Sequence, residues 1–479
     1  MKKNLMLLFL SCIVIFSIIY SLSCADDSAE TYIKLSQEAL ANLETVQPVP
    51  FKRTNHPDAQ WFPEAGFGLF LHWGIHSVKG LEPSWAMMKN CPWQADYIDY
   101  LGWTKYNNRD SYYTLRNEFN PANYDPDKWI KAAADAGMKY AVITTKHHDG
   151  YALWPSEYGE NSTKQYMDGR DLLRPFVDAC RKYDVKVGFY FSPRDWGYPG
   201  YPQSMDYKTP FEFPPGWTEE QNRQAFERFY EYTVGQLSEI LTRYGKIDII
   251  WFDGMGWSGI KDIRTEKTLA WVREIQPNIL INPRWGGAGD FETPEVALPD
   301  GPPEGWWENC VSWCGHWGYS PHAEFLPNLW VMTKLVKARS WGGNFLLNVG
   351  PDGNGEMRDE YYAQLAEIGD WMKICGESLI GASDVRNWQD FSNVPITKSD
   401  NKWYLHVLPT HEGRIVLTGV PEPERADHLN TGVKLAWYNY DADSQELTLN
   451  LSMTIRDNLN DVIVLTWEDA PETTVIPEK

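Results

Sequence analysis

The feature that most constrains this chain is an alternation of two patterns that starts near residue 65 and persists to about residue 380. Short apolar runs rich in Ile, Val and aromatic residues lie at 67–71, 140–145, 185–191, 247–252, 279–281, 311–313 and 345–349. Between most of them run segments of helical period, at 125–138, 171–183, 219–244, 266–276 and 328–339. The first of these opens on Asp125-Pro126-Asp127 and closes at Ala136-Gly137, which are good start and stop signals. Strands separated by helices pair in parallel, with each helix crossing over the sheet. Seven of an expected eight strands are visible, and the eighth is expected in the stretch from Trp85 to Arg116.

Two folds fit such an alternation. An open doubly wound sheet favours a glycine-rich phosphate loop after its first strand, and Phe67-Gly68-Leu69-Phe70-Leu71-His72 is not one. A (β/α)8 TIM barrel instead gathers polar side chains at the C-terminal ends of several strands. Here His72, the pair His147 and His148, Asp253 and Arg284 each follow an apolar run. The α/β barrel is therefore the expected fold. Beyond residue 378 the pattern changes to short strands at 403–408, 414–418, 433–437, 446–451 and 462–467, an all-β module read as a small C-terminal β-sandwich. The expected organisation is a signal peptide over 1–23, a tether and lead-in over 24–50, the barrel over 51–382 and the sandwich over 383–479.

The amino terminus carries Lys2 and Lys3, an apolar stretch over 5–20, then Leu22-Ser23-Cys24. That is the layout of a secretory signal, and the apolar run is short for a membrane span, which needs about 20 residues. A Cys directly after Leu-Ser resembles a bacterial lipoprotein box. An acylated Cys24 at the mature terminus is expected, on an exported protein in the periplasm or at the cell surface, touching membrane only through its lipid. A net charge of −21 argues against nucleic acid as a partner. Past Cys12 and Cys24 there remain Cys91, Cys180, Cys310, Cys314 and Cys375, an odd number without a C-x-x-C pair, so no structural zinc site is expected. Cys310 and Cys314 are either two thiols or one disulfide.

Composition matters at one point: there are 24 Trp, many next to polar groups, as in His72-Trp73, Asp195-Trp196 and Arg284-Trp285. Flat amphipathic rings beside hydrogen-bonding groups suit sugars, which offer apolar C–H faces and hydroxyl edges. Asp253 then stands out, because it follows Ile249-Ile250-Trp251-Phe252 and precedes Gly254. A carboxylate at the end of a buried strand costs desolvation energy, and in barrels such positions are functional. The adjacent His147 and His148 lack the i, i+4 helical spacing of a chelating pair, and their side chains are expected to point in different directions. Hydrogen bonding to sugar hydroxyls is the reading, with no metal and no organic cofactor. Glycoside hydrolysis needs a second carboxyl group. Asp290, Glu292, Glu295, Glu304 and Glu308 are the candidates, and spacing does not choose among them.

Several motifs occur in a telling order: Phe67 through Gly74, Lys146-His147-His148-Asp149-Gly150, Gly188-Phe189-Tyr190-Phe191-Ser192, Trp251-Phe252-Asp253-Gly254, Asn282-Pro283-Arg284-Trp285-Gly286, Asp290-Phe291-Glu292-Thr293-Pro294-Glu295 and Asn344 through Pro351. From about Phe51 to Leu379 the chain resembles the α-L-fucosidases of glycoside hydrolase family 29. The resemblance implies a distorted barrel followed by a β-sandwich, acting on fucosylated glycans with retention. It implies Asp253 as nucleophile and Glu295 as acid/base, with Glu308 in reserve. His72, Trp85, His147, His148, Tyr190, Trp251 and Arg284 are implied to contact the sugar or flank the nucleophile. One departure concerns specificity: where the family commonly has Glu-Trp, this chain has Ser84-Trp85. Either Glu82 reaches in for the missing carboxylate, or the subsite takes another sugar of related configuration. The rival functions are a glycan-binding protein without catalysis, and a metallohydrolase built on His147, His148 and Asp149.

Overall fold

The computed structural model describes residues 29–92, 103–202, 204–209, 216–435, 438–451 and 456–471. The signal peptide expected over 1–23, Cys24, and the end of the strand expected over 433–437 lie outside the described residues. Eight strands form one parallel sheet: β1 (Phe67–Leu71), β2 (Tyr140–Lys146), β3 (Lys186–Phe191), β4 (Ile249–Phe252), β5 (Leu280–Ile281), β6 (Phe291–Glu292), β7 (Trp306–Ser312) and β8 (Asn344–Val349). Their order, β5-β4-β3-β2-β1-β8-β7-β6, curls the sheet into a barrel that is nearly closed. At the seam between β5 and β6, Asp290 substitutes for strand pairing. Its N–H donates to Ile281 O at 2.7 Å, and its carboxylate accepts from Ile281 N at 2.8 Å.

The eighth strand is therefore Phe291–Glu292, not a segment between Trp85 and Arg116. A two-residue strand is too short to register as an apolar run. The described part of the 85–116 region instead forms 3-10 turns and one short helix over Arg109–Tyr113.

Barrel strands are buried on both faces, which is why they read as unbroken apolar runs rather than as alternations. One set of side chains, including Phe70, Tyr140, Val142, Tyr190, Ile249, Trp251, Leu280 and Leu346, fills the barrel interior. Leu69, Leu71, Ile143, Phe189 and Ile250 belong to the opposite face, in the main core. The helices with the periods seen in the sequence are Pro126–Asp135, Leu173–Lys182, Glu219–Thr242, Thr265–Ile275 and Asn328–Ser340, and a further helix, Asp359–Cys375, follows β8. Asp125 caps the first of them by accepting from Lys128 N. Thr218 and Gln221 close a reciprocal capping box on Glu219–Thr242.

Much of the lead-in is not extended chain. Ala29–Thr45 is a helix whose Ser36, Ala39 and Leu43 are buried, a spacing of three and four that makes one face. Trp271 Nε1 donates to Ala39 O at 2.7 Å, fixing that helix to the barrel. Downstream, β9 (Ser383–Asp384), β10 (Ile396–Ser399), β11 (Lys402–Val407), β12 (Ile415–Thr418), β13 (Arg425–His428), β14 (Val433–Lys434), β15 (Tyr438–Asp441), β16 (Glu446–Leu449) and β17 (Asp461–Thr466) form antiparallel sheets of six and three strands. The sequence pattern shows five of these segments. The others are short or half-exposed and carry little apolar signal.

Candidate active site

Each residue of the site arrives at the rim because a strand ends there. His72 follows β1, His147 and His148 follow β2, Tyr190 is near the end of β3, Asp253 follows β4, and Arg284 follows β5. Together with Trp85, Trp251 and Glu295 they line one cavity of about 160 Å³, whose wall also includes Phe70, Pro83, Arg194, Cys310 and Trp317. The residues singled out for sugar contact, with Asp253 and Glu295, are thus brought to one place.

The histidines do not diverge as strand alternation requires. A register shift interrupts β2 between Thr144 and Lys146, and the chain then turns, with Gly150 N donating to His147 O at 2.9 Å. Period-two alternation holds only for extended chain. Both rings consequently face the cavity, their centroids 4.2 Å apart. Lys146 anchors the turn from below, buried against Asp195 at 3.1 Å and Gln236 at 2.7 Å.

Each ring is held by its Nδ1, and the partners assign the tautomers. Asn348 gives its amide N–H groups to His316 O and Trp317 O, so its Oδ1 accepts from His72 Nδ1 at 2.6 Å. Ser192 donates to Arg194 O, so its Oγ accepts from His148 Nδ1 at 2.6 Å. Ser84 Oγ accepts from Asp149 N at 2.8 Å and donates to His147 Nδ1 at 2.6 Å. His72 and His148 therefore leave Nε2 as an acceptor, and His147 leaves an Nε2–H donor. Burial pushes His72 and His148 down to about 4 and His147 well below its ordinary value, so all three are neutral near pH 7.

The ionic groups form one connected edge of the cavity, adjoining His148. Asp253 accepts from Tyr190 Oη at 2.7 Å and from Arg284 Nη1 at 3.1 Å, and His148 Nε2 lies 3.5 Å away. Burial alone would raise the Asp253 carboxyl, but His148, Arg284 and Tyr190 outweigh it and hold it below its ordinary value. With His148 neutral, Arg284 and Tyr190 are the partners that act near pH 7. The other fork of Arg284 grips Glu295 at 2.7 Å, and the guanidinium lies 4.4 Å over the Trp251 ring. Glu295 is pinned to β7 through Val296 N, which donates to Cys310 O at 2.9 Å. Val296 sits at φ 65°, a conformation costing about 1–3 kcal/mol for a β-branched residue, right beside the carboxylate.

The other acids fall elsewhere. Asp290 is spent on the seam and on Arg273, while Glu292 and Glu304 are exposed and outside the cavity lining. Glu308 is fully buried beneath the site, accepting from Trp251 Nε1 and Tyr140 Oη at 2.7 Å each, and burial pushes it up to about 7. It supports Trp251 and does not line the cavity. Glu82 does not replace a missing carboxylate at the sugar either, since it pairs with His316 at 3.3 Å and accepts from Trp317 N at 3.2 Å. Ser84, at φ 58°, stands behind His147. Cys310 and Cys314 are both free thiols.

The Alpha-L-fucosidase family model matches residues 35–377. The chain belongs to the α-L-fucosidase family. It is 31% identical over 371 residues to the tissue alpha-L-fucosidase of Bos taurus, covering 74% of this chain and 75% of that one. The alpha-L-fucosidase isoenzyme 1 structure from Paenibacillus thiaminolyticus superposes with a TM-score of 0.71 at 32% identity, over 86% of this chain and 99% of that one. A Bacteroides thetaiotaomicron family 29 α-L-fucosidase, trapped as a covalent intermediate with 2-fluoro-fucosyl fluoride, superposes with a TM-score of 0.72 at 27% identity, over 88% and 98%.

Within the α-L-fucosidase fold, Trp317, Phe70 and Arg194 are cavity residues that sequence reasoning does not single out. Trp317 sits in a loop after β7, where nothing in its spacing marks it, yet its ring lies 5.1 Å from His72 and 6.2 Å from Phe70. Phe70 is hidden as one more apolar residue of a strand. Arg194, in Ser192-Pro193-Arg194-Asp195-Trp196, had the strand-end position as a usable signal.

Proposed function

We propose that the chain is a retaining exo-α-L-fucosidase in which Asp253 is the nucleophile and Glu295 the acid/base. What carries the reading is Asp253 and Glu295 held on one Arg284 guanidinium in a cavity whose wall also includes three neutral imidazoles and several aromatic rings. Retaining glycosidases set their two carboxyl groups about 5–5.5 Å apart, a spacing that two carboxylates on one guanidinium fork can meet. Asp253, ionised, attacks the anomeric carbon while Glu295, protonated, gives its proton to the departing oxygen. Water, deprotonated by Glu295, then attacks from the face the leaving oxygen left and displaces the Asp253 carboxylate, restoring the starting configuration. Imidazole acceptors at His72 and His148 and a donor at His147 match a run of ring hydroxyls. The corner of Phe70 and Trp317 suits the methyl group of a 6-deoxy sugar, where a hydroxymethyl would bury an unpaired hydroxyl. A cavity of about 160 Å³ fits one terminal sugar.

A panel of nitrophenyl glycosides, with NMR of the first-formed anomer, tests this. Fucoside turnover giving the α-anomer first is expected; preference for another glycoside, or the β-anomer first, overturns it. The first of those outcomes is what Ser84 motivates, namely the same machinery on another sugar.

A second reading comes from His147, His148 and Asp253, whose ligand atoms lie within 4.8 Å of one another. Such a trio is a candidate metal site. Prolonged EDTA dialysis should leave activity intact; loss on dialysis and recovery with zinc would favour the metal.

The charged and apolar opening of residues 1–23, with Leu22-Ser23-Cys24, supports export of a bacterial lipoprotein whose mature chain begins at an acylated Cys24. Mass spectrometry of the membrane-extracted protein should find a lipidated N-terminal Cys. A free amino terminus at another residue contradicts it.

A further inference from the structure

Two guanidinium groups face the cavity, and they differ in one respect. Arg284 is engaged by Asp253, Glu295 and Thr293. The Arg194 guanidinium makes no ion pair and no hydrogen bond among the described residues, although its backbone carbonyl accepts from Ser192. It is half-buried, lines the cavity beside His148, and lies against the residue that follows Asp253. Gly254 stands at φ +75°, and a Cβ there would come within 2.7 Å of Arg194 Nε. Glycine at that position both permits the turn and leaves room for the guanidinium.

We propose that Arg194 recognises an anionic group, a sulfate ester or a carboxylate, on the sugar adjoining the scissile bond. The proposal rests on the exo-fucosidase reading above, and it narrows the substrate class to fucosylated glycans bearing acid next to the fucose. Arg194 lines the same cavity of about 160 Å³ that a terminal fucose would fill, so the sugar joined to that fucose comes within reach of its long side chain. A guanidinium exposed to water loses that hydration when a glycan covers it, and a covered charge without an acceptor is strongly disfavoured. A neutral hydroxyl returns one hydrogen bond and leaves the charge uncompensated, whereas sulfate or carboxylate accepts the fork in two parallel bonds. The charge balance of the lining agrees. With Glu295 protonated for leaving-group donation, Asp253 is the one negative lining residue against Arg284 and Arg194. The molecule as a whole is −21, so an unpaired cation in its active cavity is not a by-product of a basic surface.

The test compares three fucosyl disaccharides of one linkage, with the neighbouring sugar neutral, sulfated or a uronic acid, on the wild type, Arg194→Lys and Arg194→Met. The readout is the ratio of kcat/KM for each acidic substrate to that for the neutral one. One good charge-assisted pair corresponds to roughly a tenfold ratio in the wild type. It should fall to one or below in Arg194→Met, fall partly in Arg194→Lys, which lacks the fork, and shrink with added salt. The sulfated and uronic arms identify which anion is read. A wild-type ratio near one for both acids overturns the proposal, as does a loss in Arg194→Met that is equal on all three substrates. Calorimetry with a free sulfated monosaccharide separates the two levels. If no fucoside turns over yet the sugar binds to wild type and not to Arg194→Met, the fucosidase reading fails and the anion site stands. Equal binding to both proteins overturns the anion site.

Discussion

The two sides of the cavity are built on opposite plans. On one side His72, His147 and His148 are buried and neutral, each fixed through Nδ1 by a single partner: Asn348, Ser84 or Ser192. On the other, Asp253 and Glu295 share the Arg284 guanidinium and are partly open, with Tyr190 also holding Asp253 and Thr293 also holding Arg284. The neutral wall can recognise hydroxyls without altering the charge balance at the reacting carbon. Arg284 holds both carboxylates, so its guanidinium can rebalance between them when substrate enters. Binding and chemistry are thereby separated across a few ångströms, and substitutions on the two sides should separate in kinetics.

The largest effect belongs to the charged edge. Asp253→Ala should lower kcat by roughly a thousand- to a hundred-thousandfold while the protein stays folded. Azide should restore part of the turnover as a glycosyl azide by occupying the vacated space. Near-normal activity in that variant would remove the contrast between the two sides altogether.

Glu295→Gln should cost about 10²–10⁴-fold on a natural glycan, whose leaving oxygen needs a proton, and far less in glycosylation by a nitrophenyl fucoside, whose phenolate leaves without one. Deglycosylation also loses its base, so a burst should appear and kcat and KM should fall together. Glu308→Gln is the control: it should loosen Trp251 without producing that asymmetry. If Glu308→Gln shows the asymmetry and Glu295→Gln does not, the assignment reverses.

On the neutral wall, Ser84→Ala removes the hydroxyl that fixes His147. One such hydrogen bond is worth about 1 kcal/mol, hence roughly a fivefold to tenfold fall in kcat/KM carried mainly by KM. A change confined to kcat would place His147 in the chemistry rather than in binding.

The difference between the two sides also governs what the sequence reveals. Asp253, Arg284 and the histidines follow apolar runs directly, so desolvated polarity at a strand end marks them. Glu295 lies in a loop among other acids, and only the seam at Asp290 and the bridge to Cys310 decide which carboxylate reaches the cavity. The barrel was legible because doubly buried strands leave long apolar runs, whereas Phe291–Glu292 is two residues held by pairing with β7. His147 and His148 depart from the expected alternation for a local reason, a register shift between Thr144 and Lys146. Trp317 lies in a loop whose course depends on contacts distant in sequence, whereas Arg194 shares the strand-end position of the other site residues.

A smaller effect follows from protonation. Burial holds His72 and His148 at about 4, and His76 and His406 at about 3, against 6.5 when exposed. Unfolding between these values takes up protons, so this stability is present above pH 6.5 and drains away as pH falls toward 4. Asp149, raised to about 6 by burial, Glu308, raised to about 7, and Asp171, Glu239 and Asp248, also raised by burial, act with the opposite sign, while His147 and the lowered Asp253 carboxyl act with the four histidines. Tm should decline from pH 7 to pH 4.5, and a rise over that range would mean the imidazoles are charged in the fold.

The most direct test of the separation is to trap the sugar. Incubation with 2-fluoro-fucosyl fluoride, followed by intact-mass analysis and peptide mapping, should yield one fluorofucosyl ester per chain on the peptide containing Asp253, and none in Asp253→Ala. An adduct on any other residue, or turnover of fucosides with no adduct at all, contradicts the assignment of Asp253 as the nucleophile.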